Sequence, residues 1–311
     1  MDDCLPSTTT GSHLFCFISY CFRLLVMSFI IHWNPNPIAL DLGFFELRWY
    51  SLLFATGVAF AYFFIQRDFK KADIPLEQFE KLALKVILGG VIGARLGHCL
   101  FYEPDYFLPR PWTIVLPFRL EPEFQFTGYQ GLASHGGALG IVLVLLWVFV
   151  LQKPAKRPPF SVWYVLDRLA LFIPITGACI RLGNMMNSEI IGKPTQTDWG
   201  VVFTQVDALP RHPGQLYEAI CYFLLFFVMR WLARTPKPAG VLFGWFLIFL
   251  FTIRFVVEFT KADQVAFEQY LPLNMGQLLS LPFVLFGAWL IWHKSRNTIQ
   301  GKGFGRLKKN S

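Results

Sequence analysis

An arginine, two amides and a carboxylate stand close together in one segment of this chain, directly after an apolar stretch. The residues of this segment that can bind a ligand are Arg181, Asn184, Asn187, Glu189 and Gly192. A guanidinium is the preferred bidentate partner of a phosphate or carboxylate, and the neighbouring amides and carboxylate can orient it or bind hydroxyl groups. A polar loop without function is the alternative, but it does not explain why the cluster joins an apolar helix directly. We therefore predict an anion-binding site in this segment.

A histidine at the start of another apolar stretch is a candidate proton acceptor. His135 is followed directly by Gly136 and Gly137, and glycines allow a backbone or a ligand to approach closely. Imidazole titrates near neutrality, so it can act as a general base. The alternative is a histidine that only satisfies ordinary hydrogen bonds.

Further polar side chains stand where other apolar stretches begin or end. His212 leads into one stretch, Arg254 and Glu258 end another, and Tyr50 begins the first beside Trp49. Arg254 and Glu258 are four residues apart on one helical face, so an internal ion pair is the alternative to anion binding, although Arg254 can also hold an anion. Tyr50 and Trp49 have the alternative role of interfacial anchors.

Arg95 lies inside an apolar stretch, too far from either end to reach the interface easily. A charge at that depth is costly, so we expect an anion or a carboxylate to pair with Arg95. Small residues at Gly89, Gly93 and Gly97 in the same stretch predict a ridge for close helix–helix packing.

The elements that must position these residues are long apolar helices. The chain has 311 residues, of which 54% are hydrophobic and 15% charged, whereas a soluble domain normally carries about 25% charge. Apolar runs of near-spanning length recur. We predict an all-α integral membrane protein of about seven transmembrane helices. The predicted spans are 49–65, 84–102, 136–151, 162–179, 216–232, 240–257 and 277–292.

The distribution of charge predicts the orientation of these helices. Basic residues concentrate after the first, third and fifth spans and in the tail, whereas the other connections are mixed or acidic. By the positive-inside rule the C-terminus is cytoplasmic and the N-terminus outside. The net charge of +8 then reflects membrane topology and does not indicate a nucleic-acid partner. With this orientation the polar side chains gather at the external helix ends, as expected for one cavity that binds an anionic lipid headgroup.

The domain organisation follows from the same pattern. Residues 1–26 form a predicted N-terminal extension, either a helix added to the domain or a segment that precedes the true start at Met27. Residues 27–311 form a single polytopic membrane domain with long external loops at 103–134 and 184–211. The six cysteines have no metal-ligand spacing, so we predict no metal site and no cofactor.

These motifs resemble the bacterial prolipoprotein diacylglyceryl transferase family over about residues 28–295. The resemblance rests on Arg181-Leu182-Gly183-Asn184 with Asn187, Glu189 and Gly192, on His135-Gly136-Gly137, on 212–218 (HPGQLYE), and on Arg254 with Glu258, in the same order and spacing.

The resemblance implies a transferase of the bacterial inner membrane, with its active site toward the outer leaflet. Its partners would be phosphatidylglycerol, prolipoprotein signal peptides with a lipobox cysteine, and membrane lipids. The diacylglyceryl group would move to the cysteine thiol, form a thioether and release glycerol phosphate. Arg181 and Arg254 would handle phosphate, and His135 or another group would be the thiol base.

The resemblance also implies roles for Tyr50, Asn184, Glu189, Gly192 and Glu258 in completing the site. Arg95, Asn187 and His212 are the further substrate-binding candidates.

The chain departs from the family pattern at two positions. Leu250 stands where the family often has a tyrosine, and Lys261 stands where an arginine is usual, which keeps the charge but loses the bidentate fork. A transporter or binding protein for an anionic lipid is the alternative function. Paired broken helices with polar groups at mid-membrane and on both sides would be typical of a transporter, and the external bias argues against it.

Overall fold

The computed structural model describes residues 29–43, 46–116, 118–119, 125–126, 133–261 and 273–307. The predicted N-terminal extension lies outside these ranges, as do parts of the 103–134 segment and the acidic residues Asp263 and Glu268. Seven long helices account for most of the described chain. They are α1 Trp49–Lys71, α2 Leu76–Phe101, α3 Ser134–Leu146, α4 Val162–Met186, α5 Gly214–Leu232, α6 Val241–Glu258 and α7 Met275–Leu307. A π-helical turn, Trp147–Leu151, continues α3.

Each predicted span coincides with one of these helices. Within the described ranges, five are long and apolar enough to cross a membrane, namely α1, α2, α5, α6 and the Met275–Arg296 part of α7. The helix α3 with its π-turn is shorter but apolar, and α4 carries Asp167, Arg168 and Arg181. The helical membrane architecture agrees with the prediction, while the crossing of all seven helices and their orientation stay predictions.

Successive helices run in alternating directions because short segments connect them at one end. Ser161 begins α4 by accepting a hydrogen bond from the Tyr164 amide, an ordinary N-cap. The buried Asp167 carboxylate of α4 accepts hydrogen bonds of 2.8 Å from the amides of Gly240 and Phe243. It thereby caps α6 from a neighbouring helix and satisfies amides that would otherwise lack partners. This contact fixes the ends of α4 and α6 opposite to Arg181 and Arg254.

Glycines bring several pairs of helices into close contact, and two of these pairs involve the helices α1 to α4. A Cβ atom added at Gly93 would lie 2.4 Å from the carbonyl oxygen of Gly136, and one at Gly97 would lie 2.8 Å from the Gly136 Cα. The predicted glycine ridge on α2 is therefore confirmed, and its partner is the glycine face of α3. In the second pair, Gly57 of α1 packs on Thr176 of α4, and the Thr176 hydroxyl donates to the Gly57 carbonyl at 3.0 Å.

The main hydrophobic core lies toward the helix ends that bear the short connections. Its fully buried members include Phe69, Leu171, Phe172 and Met229. Many large apolar side chains on the outer faces remain exposed, such as Leu285 at 70% and Leu139 at 57%. Helices that bury little apolar surface against one another need an apolar solvent around them, as a bilayer provides.

The expectation of an all-α fold omits several short strands. The strands β1 Phe29–Trp33, β6 Trp199–Phe203 and β7 Pro210–Arg211 form one sheet in the order β1-β6-β7. The hairpin β2 Ile38–Asp41 and β3 Glu46–Arg48 precedes α1, and Phe118–Arg119 pairs with Gln125–Phe126 as β4 and β5. The predicted 184–211 loop thus contains β6 and β7.

The β1-β6-β7 sheet is folded onto the C-terminal end of α4. Its small core contains Met185, Val201 and Phe203, and the Trp33 indole donates to the Met185 carbonyl at 2.9 Å. β1 pairs with β6 in parallel although the two strands are far apart in sequence. Short strands of this kind depend on distant partners, and apolar periodicity does not reveal them.

Candidate active site

The polar residues singled out in the sequence lie at one end of the helix bundle. Tyr50 begins α1 and contacts Gly183 near the end of α4, where an added Cβ would lie 2.8 Å from the tyrosine ring. The start of α5 meets the same end of α4 through Glu218 and Arg181. The end of α6 meets the start of α7, where Glu258 packs against Gly276. Alternating helix direction therefore gathers residues from five helices.

A chain of buried ion pairs forms the centre of this cluster. Arg181 Nε lies 2.6 Å from Glu218 Oε2. Lys261 Nζ lies 3.1 Å from Glu218 Oε1 and 3.1 Å from Glu258 Oε2. Glu218 is 0% exposed and Lys261 2%. Charges buried this deeply persist only when they are paired, so these four side chains form one electrostatic unit that ties α4, α5 and the end of α6 together.

A second set of hydrogen bonds extends from Arg181 to the loop after α4. Arg181 donates to Asn184 Oδ1 at 3.2 Å, and the Asn184 amide donates to Glu189 Oε2 at 3.1 Å. Asn187 donates to the other Glu189 oxygen at 3.0 Å. The predicted cluster of Arg181, Asn184, Asn187 and Glu189 is thus a connected network, with Glu189 as its exposed end.

The backbone around Glu189 adopts an uncommon conformation. Ser188 and Ile190 have φ values of 54° and 57°, in the left-handed region that β-branched residues rarely enter. The Gln215 side chain of α5 donates to the Glu189 carbonyl at 2.5 Å. Strained residues of this kind concentrate at functional sites, where surrounding contacts hold them. Here the contacts hold Glu189 toward the two asparagines.

Arg254 stands beside this network as a cation without a protein partner in the described part of the chain. The alternative of an ion pair with Glu258 is not observed, because the Glu258 carboxylate is bound to Lys261. Arg254 is nevertheless close enough to the Tyr222 hydroxyl for its charge to act on that group, and Tyr222 also interacts with Arg181. Its guanidinium is therefore available to an anion next to Arg181.

Gly192 lies where three segments of the chain meet. Its amide donates to the His212 carbonyl at 3.0 Å, and it bridges to Lys261. An added Cβ would lie 2.2 Å from the His212 oxygen and 2.7 Å from the Thr260 oxygen. Since backbone atoms occupy that space, a side chain larger than hydrogen requires the segments to separate.

His212 takes part in a chain of hydrogen bonds on the sheet side of the cluster. The Trp199 indole donates to the Tyr217 hydroxyl at 2.7 Å, and that hydroxyl lies 3.2 Å from His212 Nδ1. An indole N–H can only donate, so the Tyr217 hydroxyl accepts from Trp199 and joins that indole to the His212 ring.

An ion pair outside the helices fixes the turn that leads to this histidine. Arg211 Nε lies 3.0 Å from Asp207 Oδ2, and Nη1 donates to the Gly192 carbonyl at 3.1 Å. The hydrogen bond from Arg211 holds the pKa of the half-buried Asp207 carboxyl below its usual value. Arg211 therefore connects the β6–β7 turn to the Gly192 segment.

The structure places two predicted site residues on the α2–α3 pair, apart from these contacts. Among the described residues, the His135 ring contacts Phe101 and Tyr102 at centroid distances of 6.5 and 5.7 Å, and it is exposed. Arg95 donates to the carbonyls of Ile114 and Thr113 at 3.0 and 3.1 Å. Through these two hydrogen bonds Arg95 braces the segment after α2, and its pairing with an anion or carboxylate stays a prediction.

Three residues in the centre of the cluster were not among the predicted site residues. They are Glu218, Tyr222 and Lys261. The sequence offered a signal for Glu218, because it is a carboxylate inside an apolar helix, where a charge requires a partner. Tyr222 follows Glu218 by one helical turn and donates to it at 3.4 Å. The resemblance had marked the position of Lys261, and its ion pair with Glu258 lies within one turn, but its contact with Glu218 is brought about only by packing.

The described residues contain no group of three or more His, Cys, Asp or Glu side chains placed to hold a metal ion. The cysteines in this part of the chain, Cys99, Cys179 and Cys221, are free and lie in helices. The site therefore consists of cations, carboxylates, amides and hydroxyls, which suit binding of a phosphate ester.

Comparisons with known proteins agree with these features. A family model described as prolipoprotein diacylglyceryl transferase matches residues 37–293. The chain is 46% identical over 267 residues to a phosphatidylglycerol–prolipoprotein diacylglyceryl transferase of Bacteroides fragilis, covering 84% of this chain and 94% of that protein. A protein of the same description from Tolumonas auensis is 44% identical over 264 residues, covering 84% and 96%. One from Porphyromonas gingivalis is 38% identical over 290 residues, covering 88% and 97%.

Proposed function

The chain belongs to the prolipoprotein diacylglyceryl transferase family, and we propose that it transfers the diacylglyceryl group of phosphatidylglycerol to the thiol of the lipobox cysteine in prolipoproteins. The observation that carries this function to the site is the guanidinium of Arg254, which has no carboxylate partner among the described residues and lies beside the buried Arg181–Glu218–Lys261–Glu258 network.

The reaction is a substitution at a glyceryl carbon. A thiolate sulfur forms a bond to the carbon that carries the phosphate ester, and the bond between that carbon and the phosphate oxygen breaks. The electron pair leaves with the oxygen, so glycerol phosphate departs and a thioether remains. The thiol proton passes to a base. A thiol has a pKa of about 8.5 and is a weak nucleophile until it is deprotonated.

The two arginines have different parts in this proposal. Arg181 is held by Glu218, Asn184 and Tyr222, so its position is fixed before the substrate binds. Arg254 has no such restraint among the described residues and makes the main new contact with the phosphate. Charge develops on the leaving oxygen as the bond breaks, and fixed cations stabilise that charge more than they stabilise the ground state.

Buried acceptors near Glu189 are suited to the glycerol part of the headgroup. Asn187 Oδ1 and Ser188 Oγ are buried without a hydrogen-bond partner among the described residues. An unsatisfied buried acceptor costs free energy. Hydroxyl groups of a glycerol headgroup would satisfy such acceptors, which supports placing the headgroup next to the loop after α4. Tyr50, Gly192, His212 and Glu258 complete the site in this proposal by shaping its walls.

His135 is the proposed thiol base. It is exposed at the first turn of α3, at the same end of the bundle as Arg181. An exposed imidazole at this end can meet a cysteine that approaches from outside the bundle and can act there as a general base. No described contact joins His135 to the arginines, so the peptide and the lipid would enter from different helix pairs.

The membrane arrangement belongs to the same proposal. Seven crossings, a cytoplasmic C-terminus and an active site toward the outer leaflet would follow from the apolar spans and the positive-inside rule, and the bacterial inner membrane is what membership of the family implies. The helix directions support this arrangement, since the basic connections lie at one end of the bundle and the polar cluster at the other.

The function is tested with the purified chain in detergent, phosphatidylglycerol with labelled acyl chains, and a lipobox peptide. The expected result is transfer of label to the peptide and release of one glycerol phosphate per thioether. A peptide with serine in place of the lipobox cysteine, and phosphatidylcholine in place of phosphatidylglycerol, are the controls. Binding of phosphatidylglycerol without any transfer would contradict the proposal and support a lipid-binding protein.

A further inference from the structure

A basic cavity lies at the end of the bundle opposite to the Arg181 cluster. It has a volume of about 220 Å³ and is formed by the start of α2, the end of the π-turn after α3, and residues 152–159. Its polar and charged lining residues are Gln78, Lys81, Lys85, Gln152, Lys156 and Arg157. No carboxylate lines it among the described residues. We propose that this cavity binds the phosphate headgroup of an anionic phospholipid in the leaflet opposite to the active site.

The charges of the cavity favour an anion. Lys81 is paired with Glu77 at 2.5 Å on the exposed side of α2, which leaves the charges of Lys85, Lys156 and Arg157 without a carboxylate in the described structure. Lys85 is also placed over the Trp147 ring, 5.1 Å from its centroid. Cations grouped in a concave surface raise the local concentration of anions.

The geometry of the cavity distinguishes a headgroup from a long acidic ligand. Its floor is apolar, because Leu82 and Val148 are 5% and 2% exposed. Arg157 is held in place by its hydrogen bond to the Gln152 carbonyl at 2.9 Å. The Gln78 side-chain oxygen is buried without a partner among the described residues, and a headgroup hydroxyl would satisfy it. One phosphate with a small hydroxylated group fits these features.

The surface beside the cavity is suited to acyl chains. Leu84 and Leu151 border the cations along α2 and the π-turn and are 61% and 68% exposed. Exposed apolar side chains next to a basic cleft at the membrane surface are the arrangement expected for a bound anionic lipid. A soluble phosphate ester would use the cations but not this apolar border, so the observations favour a lipid.

The test counts lipids that remain bound to the full chain by native mass spectrometry. The probe is phosphatidylglycerol, with phosphatidylcholine, whose headgroup is zwitterionic with no net charge, as the comparison. The variant Lys85→Gln/Lys156→Gln removes two cavity cations, and Lys70→Gln/Lys71→Gln is the matched control, because it removes two exposed lysines at the same bundle end outside the cavity. Because Lys85 and Lys156 would both contact the bound headgroup, their joint removal should weaken its binding at the cavity about 30-fold.

The expected result is that the cavity variant retains one phosphatidylglycerol fewer than the parent chain, while the control variant retains the parental number. This difference of one lipid does not depend on whether the proposed active site binds phosphatidylglycerol, so failure of the two proposals is distinguishable. Diacylglyceryl transfer and thermal stability should be unchanged in the cavity variant. Equal lipid retention in both variants would overturn the proposal. Displacement of the extra lipid by millimolar glycerol phosphate would overturn it in favour of a soluble phosphate ester.

Discussion

Replacing Lys261 by methionine should weaken the binding of phosphatidylglycerol, although Lys261 need not touch the lipid. Lys261 holds the carboxylates of Glu218 and Glu258, each at 3.1 Å. In the Lys261→Met variant, the Glu218 carboxylate keeps its ion pair with Arg181, but the Glu258 carboxylate loses its only described cationic partner. The nearest available guanidinium on the same helical face is that of Arg254, one turn earlier in α6. We expect Glu258 to form an ion pair with Arg254 and to draw it away from the phosphate.

The size of the effect follows from the burial of these groups. Glu258 is 6% exposed, and leaving one member of a buried pair without its partner costs about 3–5 kcal/mol. Capture of Arg254 recovers part of this cost but removes one charged hydrogen bond to the phosphate, worth about 1.5–3 kcal/mol. The expected loss in kcat/KM is therefore about 10- to 150-fold.

The assay is steady-state transfer from phosphatidylglycerol to a lipobox peptide, with each substrate varied in turn. The loss should appear mainly as a higher KM for the lipid. Lys261→Arg is the matched control, because it keeps the charge and should lose less than about tenfold. Adding Glu258→Gln to Lys261→Met should recover part of the lipid KM, because it removes the carboxylate that competes for Arg254. Coupling between the two changes is measured by the double-mutant cycle.

Two results would refute this reasoning. An unchanged KM for the lipid in Lys261→Met would show that Arg254 binds phosphate equally well whether or not Glu258 has a cationic partner. A loss in Lys261→Met/Glu258→Gln as large as that in Lys261→Met would show that Lys261 acts only through folding. Thermal unfolding of each variant in the same detergent separates this second case from a change in binding.

Three further predictions concern single residues of the site. Gly192→Ala should lower activity at least tenfold and lower the unfolding temperature, because its Cβ would lie 2.2 Å from the His212 carbonyl oxygen. Gly214→Ala is the control: its Cβ would make only ordinary contacts from 3.5 Å, so both measurements should stay near those of the parent chain. Arg181→Lys should lower the transfer rate about 10- to 100-fold, because a lysine cannot hold the Glu218 carboxylate as Arg181 Nε does and also bind phosphate with two donors. A full transfer rate in this variant would mean that the site needs only a point charge here. His135→Gln should reduce kcat about 100-fold or more with an unchanged KM for the lipid. The residual rate of this variant should rise with pH, because the substrate thiol then ionises without a base. A pH profile of the variant equal to that of the parent chain would exclude His135 as the base.

The helices were largely predictable because their signal is local. A membrane-spanning helix must be apolar over nearly its whole length, and each of the seven predicted stretches is helical here. The spacing of Gly89, Gly93 and Gly97 also predicted correctly that α2 carries a close packing face. Its partner, α3, was not predicted, since glycine spacing describes one face of one helix.

The partners of the charges were predictable only in part. Arg181 with Asn184, Asn187 and Glu189 could be recognised as a cluster because all four lie in one short segment. Spacing alone suggested the pair of Arg254 with Glu258, which is not formed in the described structure because Lys261 occupies Glu258. The hydrogen bonds of Arg95 to the carbonyls of Ile114 and Thr113 could not be predicted, because these loop residues have no spacing that relates them to α2.

By itself the sequence determined the helical membrane class, the family resemblance and most of the residues at one bundle end, because apolar length and short motifs are properties of neighbouring positions. Only the tertiary structure decided which charges neutralise one another. Glu218, Lys261 and Arg181 belong to separate segments that meet through helix packing. An ion pair between distant segments has no sequence period, so the availability of the Arg254 guanidinium becomes evident only once the buried carboxylates of this site in the described part of the chain have been matched to Arg181 and Lys261.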